Sequence, residues 1–210
     1  MPKNKIRLIL DTLEKQYGSP KTALTHRSAH ELLIATILSA QCTDKRVNIV
    51  TGELFNKYPD LGFFARANLP ELEKDIKSTG FYHIKAKNII NTSKMIIDDF
   101  DSRVPDTMED LIRLPGVARK TANIVLSEFY GKTEGIAVDT HVGRLSRRLG
   151  LAESKNPEII ERNLMSETDR KDWNKISNLL IAHGRNICMA RNPDCDSCTL
   201  YDLCISKGKW

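Results

Sequence analysis

No apolar stretch in this 210-residue chain exceeds nine residues. The longest, Leu32 to Ala40, already contains Thr36 and Ser39. A membrane-spanning helix needs roughly 20 apolar residues, so none is expected. Residues 1–18 carry charge at both ends and lack an apolar block before a small-residue cleavage site. They are not expected to act as a secretory signal. Strand signals are missing as well: no run of Val, Ile, Thr or aromatic residues alternates between turn signals. Neither an internal repeat nor a low-complexity linker is visible. What the chain does have is 40% apolar residues, enough for a packed core, and an ordinary 28% of charged ones. It is expected to fold rather than stay disordered, as one large domain or two small ones.

The periodicity is helical almost throughout. Ile6, Ile9, Leu10 and Leu13 recur at three- and four-residue intervals and mark an amphipathic helix closed by Gly18-Ser19-Pro20. A helix apolar nearly all round spans residues 29–40. Another spans residues 43–58, with Val47, Val50, Leu54 and Phe55 on one face, and is stopped by Pro59. Pro70 is expected as the first residue of a short helix reaching Ile76, broken at Gly80. A longer helix covers residues 83–99. Asp106 and Glu109 have capping-box spacing and open the next, which ends at Leu114-Pro115-Gly116. Further helices are expected over residues 118–130, closed by Gly131, up to Leu149 after Val138-Asp139-Thr140, from Asn156-Pro157, and over residues 172–186. The fold class is all-α, and composition shows no seam between domains.

Charge is unevenly spread. The net charge is +5, and residues 111–150 contain seven Lys/Arg against three acids, which is +4. A concentrated positive field suits a polyanion such as nucleic acid, although a solvated helix face reads the same way.

Five cysteines are present, and four fall at the end as Cys188, Cys195, Cys198 and Cys204. Without a secretory signal a reducing compartment is expected, so disulfides explain the cluster poorly. Four thiolates on so short a segment can close round one metal centre. Zinc favours gaps of two to four residues between paired ligands. Here only one gap is two residues, and the others are six and five. That spacing favours a larger [4Fe–4S] object over zinc, which remains the competing reading. Arg191, between the first two cysteines, can reach a phosphate. In the other reading the centre only folds the C-terminal tail.

Pro115 and Gly116 make a tight turn between two helices. The turn leaves backbone N–H groups free at the start of the second helix, where the dipole also favours an anion. Such an element holds a phosphate without reading sequence. A helix corner with no ligand is the plainer possibility. Lys120 falls in the first turn of that second helix. The dipole and neighbouring Arg119 both disfavour an ammonium there, and burial would add to this, so a neutral, nucleophilic amine is expected. A lysine that merely contacts phosphate is the alternative. Asp139 lies nineteen residues on. It can cap the following helix, or accept protons and stabilise a cationic transition state.

Taken together, these stretches resemble the endonuclease III family, bifunctional DNA glycosylases of the helix–hairpin–helix superfamily. The matching residues are Leu114-Pro115-Gly116-Val117-Ala118-Arg119-Lys120-Thr121-Ala122, Val138-Asp139-Thr140-His141 and the cysteine tail. Leu38-Ser39-Ala40-Gln41 with Thr43-Asp44, and Gly80-Phe81-Tyr82, match as well. The resemblance implies two helical domains with a DNA-binding cleft between them. One, residues 24–133, holds the hairpin. The other joins residues 1–23 to 134–210 and carries the [4Fe–4S] cluster on Cys188, Cys195, Cys198 and Cys204. It implies that Lys120 and Asp139 line the cleft as catalytic residues, and that Gln41 and Phe81 fill the hole left by an extruded base. Gly116, Ala118, Arg119, His141, Arg144 and Arg191 are the remaining candidates for DNA contact. The implied partner is double-stranded DNA with damaged bases or abasic sites, met by a monomer inside the cell, in the cytoplasm or nucleoid. The implied chemistry is base excision and AP lyase cleavage of oxidised pyrimidines. An oxidised-purine glycosylase, or a non-catalytic DNA-binding protein with a structural metal, are the alternatives. Four positions depart from the family pattern. Ala118 replaces the hairpin's second glycine, Phe81 stands where leucine is common, and Asn192 and Asp194 stand where basic residues are often seen.

Overall fold

The computed structural model describes residues 3–209, with side chains from Lys5 onward. Among the described residues there are eleven α-helices and no strand. The helices are α1 (Lys3–Tyr17), α2 (Ala29–Leu38), α3 (Asp44–Lys57), α4 (Leu61–Ala65), α5 (Leu69–Asp75), α6 (Tyr82–Asp99), α7 (Met108–Leu111), α8 (Arg119–Glu128), α9 (Thr140–Arg148), α10 (Pro157–Glu167) and α11 (Trp173–Asn186). The all-α expectation is met. The chain divides into two compact units, Thr22–Lys132 and Met1–Lys21 with Thr133–Trp210.

The Thr22–Lys132 unit is built round α2. This helix is apolar nearly all round because every side is covered: Leu32, Leu33, Ile34, Ala35 and Leu38 are all buried, against α3, α6 and α8. At roughly 25 cal/mol per Å2 of apolar surface, each such leucine contributes about 2 kcal/mol. Ser28 caps the helix by accepting from the Glu31 amide. Thr43, Asp60, Asn68 and Thr107 cap α3, α4, α5 and α7 in the same way. Helix α4, for which the periodicity gave no signal, is only five residues long. It brings Phe64 into the core, stacked on Tyr58 at 5.0 Å.

Two expectations shift by one residue. Leu69 rather than Pro70 is the first residue of α5, with Asn68 as its cap. Helix α7 is capped by Thr107 and not by Asp106, and Thr107 also donates to Asp110 Oδ2 at 2.9 Å. The carboxylate of Asp106 is taken by Lys132, which also bonds the Asp106 carbonyl.

The other unit has its own core. Ile6, Ile9, Leu10 and Leu13 of α1 pack with Val142 and Leu145 of α9, Leu164 of α10, and Ile176, Leu179 and Leu180 of α11. The periodic face predicted for α1 is the buried one. A short 3-10 turn, Arg170–Asp172, leads into α11, and another, Tyr201–Leu203, precedes the last cysteine.

Candidate active site and metal centre

The hairpin lies between α7 and α8. Gly116 adopts φ +77°, and a Cβ there would meet the Asn88 side chain on α6 at 2.5–2.9 Å. Only glycine satisfies both the backbone and the space. Thr92, one turn along α6, donates to the Pro115 carbonyl at 2.7 Å and holds the turn. Ala118 occupies the N-cap of α8 in extended conformation and makes no side-chain cap bond. Alanine has nothing to cap with, so no N-cap side chain competes with an anion at the start of the helix. Gly116, Ala118, Arg119 and Lys120 are all exposed. Lys120 stands on the first turn of α8 as expected, but the burial considered for it is not supplied by this unit.

Gln41 and Phe81 stand on two loops of the same unit. Both are exposed, Phe81 at 62%. Both have left-handed backbones, φ +54° and +51°. Non-glycine residues in that region store strain of about 1 kcal/mol or more, and such residues gather at functional sites. An exposed phenylalanine on a strained corner is hard to explain by packing.

Asp139 belongs to the other unit. It caps α9, its Oδ1 accepting from the Val142 amide at 2.8 Å. The cap reading is therefore correct. Oδ2 makes no hydrogen bond or ion pair among the described residues, so capping leaves one carboxylate oxygen for other work. The segment before it is pinned at three points. Glu161 accepts from the Ile136 amide at 3.2 Å, Ser177 donates to the Ala137 carbonyl at 2.7 Å, and Arg170 donates to the Thr133 carbonyl at 2.9 Å.

His141 and Arg144 follow on α9, both half-buried. Arg144 donates to the carbonyls of Gly184 (2.9 Å) and Cys188 (2.9 and 3.2 Å) and to His141 Nδ1 (3.1 Å). A Cβ at Gly184 would come within 2.9 Å of both side chains, so glycine admits them. The Arg144 guanidinium is spent on the end of α11 and on the first cysteine of the tail. Burial holds His141 below its ordinary range, with Asp139 opposing and Arg144 and Arg185 reinforcing.

The four tail cysteines are half-buried and form no disulfide. Among the described residues no three Cys, His, Asp or Glu side chains form a ligand set for a single ion. The thiols do sense one another. Burial pushes Cys195 and Cys198 up, and the charges of Cys188 and Cys204 add to it in both. Arg148, only 6% exposed, donates to Cys188 Sγ at 3.2 Å and to the carbonyls of Met189 (2.7 Å) and Ala190 (3.2 Å). His183 Nε2 lies 3.4 Å from Cys198 Sγ, and its Nδ1 is 3.1 Å from the Tyr17 hydroxyl. Burial pushes His183 down to about 4, so it is neutral at pH 7. A buried guanidinium aimed at sulfur calls for an anionic centre. The donor set thus fits a group bound by four thiolates. Arg191 is exposed on the loop between the first two cysteines.

Nothing in the sequence marked Asn88, Thr92, Arg148, Glu161, Ser177 or His183. Asn88 is the side chain a Cβ at Gly116 would meet, and each of the others is a polar residue whose partner is a distant backbone or sulfur atom.

Two families match parts of the chain. The HhH-GPD superfamily of base excision DNA repair proteins matches residues 34–170, and the iron-sulfur binding domain of endonuclease III matches residues 188–204. Endonuclease III of Synechocystis sp. is 50% identical over 198 residues, covering 94% of this chain and 90% of the relative. The chain belongs to the endonuclease III family. The Escherichia coli member is 39% identical over 209 residues, covering 100% of this chain and 99% of its own. A trapped endonuclease III–DNA covalent intermediate has the same fold, with a TM-score of 0.93 at 43% identity, covering 98% of this chain and 96% of that one. A thermostable thymine-DNA glycosylase shares the fold at 23% identity and a TM-score of 0.86. Membership in the endonuclease III family settles the metal centre. The cofactor is a [4Fe–4S] cluster, its binding domain spans residues 188–204, and zinc is set aside.

Proposed function

We propose that this base-excision repair enzyme removes damaged pyrimidines from duplex DNA and cuts the strand at the abasic site, with Lys120 as nucleophile and Asp139 as its carboxylate partner. The observation that carries this reading is the placement of Lys120. It is an exposed amine on the first turn of α8, directly behind hairpin amides that no side chain caps. A relative 43% identical to this chain was trapped as a covalent intermediate with DNA, which is the behaviour expected of an amine nucleophile.

The duplex is held through phosphates by the hairpin and by exposed cations such as Arg119 and Arg191. The damaged nucleotide turns out of the stack, because its sugar carbon is unreachable inside the duplex. Gln41 and Phe81 enter the space it leaves. The duplex itself supplies the exclusion of water that Lys120 lacks in the free protein. The amine then attacks C1′. The glycosidic bond breaks, its electron pair leaves with the base, and Asp139 takes up the proton from the amine. The nitrogen lone pair then opens the C1′–O4′ bond, O4′ taking a proton, and the iminium so formed at C1′ acidifies C2′. Loss of that proton expels the 3′ phosphate, and water releases the lysine. His141 and Arg144 act here by fixing the helix that Asp139 caps. The cluster, when bound, closes the C-terminal loop on its thiolates and supplies no step of the reaction.

We read the two compact units, Thr22–Lys132 and Met1–Lys21 with Thr133–Trp210, as the domains expected at 24–133 and at 1–23 with 134–210. The substrate places the enzyme inside the cell, at the nucleoid. Borohydride trapping on abasic-site DNA tests the nucleophile. The protein should give a covalent adduct, and Lys120→Gln should abolish it while keeping DNA affinity. An adduct retained by Lys120→Gln would assign the chemistry to another amine.

A further inference from the structure

Lys85 is a buried lysine without a role in the chemistry above. It lies on the first turns of α6 and is 4% exposed. Its ammonium donates to the Leu38 carbonyl at 2.8 Å and to the Thr79 carbonyl at 2.8 Å. Leu38 is the last residue of α2, and Thr79 is the last residue of the 3-10 turn Lys77–Thr79. One cation therefore satisfies the carbonyl ends of two separate elements, where unpaired carbonyls gather and a positive charge is favoured. Three residues beyond Leu38 stands Gln41, and two beyond Thr79 stands Phe81. These are the two exposed residues with left-handed backbones described above.

Burying an ammonium is unfavourable, and burial holds Lys85 below the ordinary lysine range, with only the Cys42 thiol opposing. A methionine would fill the same space at less cost in desolvation. What the methionine could not do is fix two loop ends on one atom.

We infer that Lys85 is a positioning residue, a staple that holds the Gln41 and Phe81 loops in the register from which both side chains enter the duplex. It rests on the proposed function, since it concerns the step in which a base leaves the stack. It touches neither DNA nor the reacting atoms. Its effect is confined to substrates whose base must still be extruded. A preformed abasic site has no base to unstack and goes straight to the chemistry of Lys120 and Asp139.

The test compares single-turnover rates of Lys85→Met holoenzyme on two duplexes, one with an oxidised pyrimidine and one with a preformed abasic site. Both are measured well below the variant's unfolding temperature. The expected result is a loss on the order of tenfold or more on the intact lesion, as for a broken buried charged hydrogen bond, and a change within about threefold on the abasic site. Lys85→Arg, which keeps the donors, should recover part of the lesion rate. Fluorescence of 2-aminopurine opposite the lesion should show slower unstacking in Lys85→Met. Equal losses on both duplexes, or no loss on either, would overturn the staple. Phe81→Ala and Gln41→Ala run beside it separate the two layers. If they show the selective loss and Lys85→Met does not, only the staple fails. If they also lose rate equally on both duplexes, the loop reading fails and the staple with it. Should Lys85→Met not fold with its cluster, Lys85→Gln takes its place in the same comparison.

Discussion

Gly116 shows how a single residue sets the hairpin. Alanine there would hold φ +77° against a Cβ and press into Asn88 at 2.5–2.9 Å. The two effects together should destabilise the Thr22–Lys132 unit by roughly 2–4 kcal/mol. Urea unfolding of Gly116→Ala measures it. Adding Asn88→Ala should restore only part, because the Asn88 Cβ itself stands at 2.9 Å and the backbone strain stays. Full restoration by the second substitution would mean that the backbone conformation is not under strain. The glycine turn, the place of Lys120 on the first turn of α8, the Asp139 cap and the cysteine segment were legible in the sequence because each shows in residue type and spacing. Lys85 was not. A lysine on a helix reads as a solvated one, and the carbonyls that bury it lie 47 and 6 residues away. The partners of Arg144 were hidden for a related reason, since the carbonyls of Gly184 and Cys188 that engage its guanidinium lie 40 and 44 residues on.

Elements were legible in proportion to their length. Helices α1, α3, α6, α8, α10 and α11 carry several turns of periodicity, and their ends were marked by caps, prolines and glycines. Helix α4 and the 3-10 turns are too short for a period to register. The cap of α7 was misplaced by one residue because Asp106 and Thr107 are both good caps, and only the pull of Lys132 on Asp106 decides between them. Helix α9 does two things at once: Asp139 caps it, and its His141 and Arg144 reach α11. That coupling gives the helix a pH dependence. Burial lowers His141 in the folded chain below its ordinary value near 6.5. As pH falls through that value, the unfolded chain binds the proton first, so folding stability declines and goes on declining down to the folded value. The facing groups are Asp139, which resists the decline, and Arg144 and Arg185, which deepen it. His141→Asn should therefore flatten the loss of thermal stability between pH 7 and 5 relative to the parent chain. Parallel curves for the two proteins would show that the histidine titrates alike in both states.

At the scale of the whole molecule, the two cores are unequal in how they end. The Thr22–Lys132 core is closed by helices, and α2, α3, α4, α5 and α7 carry side-chain caps. The other core is closed on one side by residues 188–204, a segment with a single 3-10 turn, few backbone bonds and only Leu200 fully buried. Cys188, Cys198 and Cys204 pack against that core through their sulfurs. A loop with so little apolar burial cannot offset its own ordering entropy, at about 1–2 kcal/mol per residue. The folding energy must come from ligation, as it does wherever a site forms only with its metal. The purified protein should accordingly be yellow-brown, with about four irons per chain. Cys198→Ser, or removal of the iron by oxidation, should abolish hydrogen-exchange protection across residues 188–204 and lower it in α9, whose Arg148 backs the first cysteine. Residues 22–132 should keep theirs. Native protection of the loop in an iron-free protein would show that packing alone holds it, and the cluster would then need a purpose other than folding the tail.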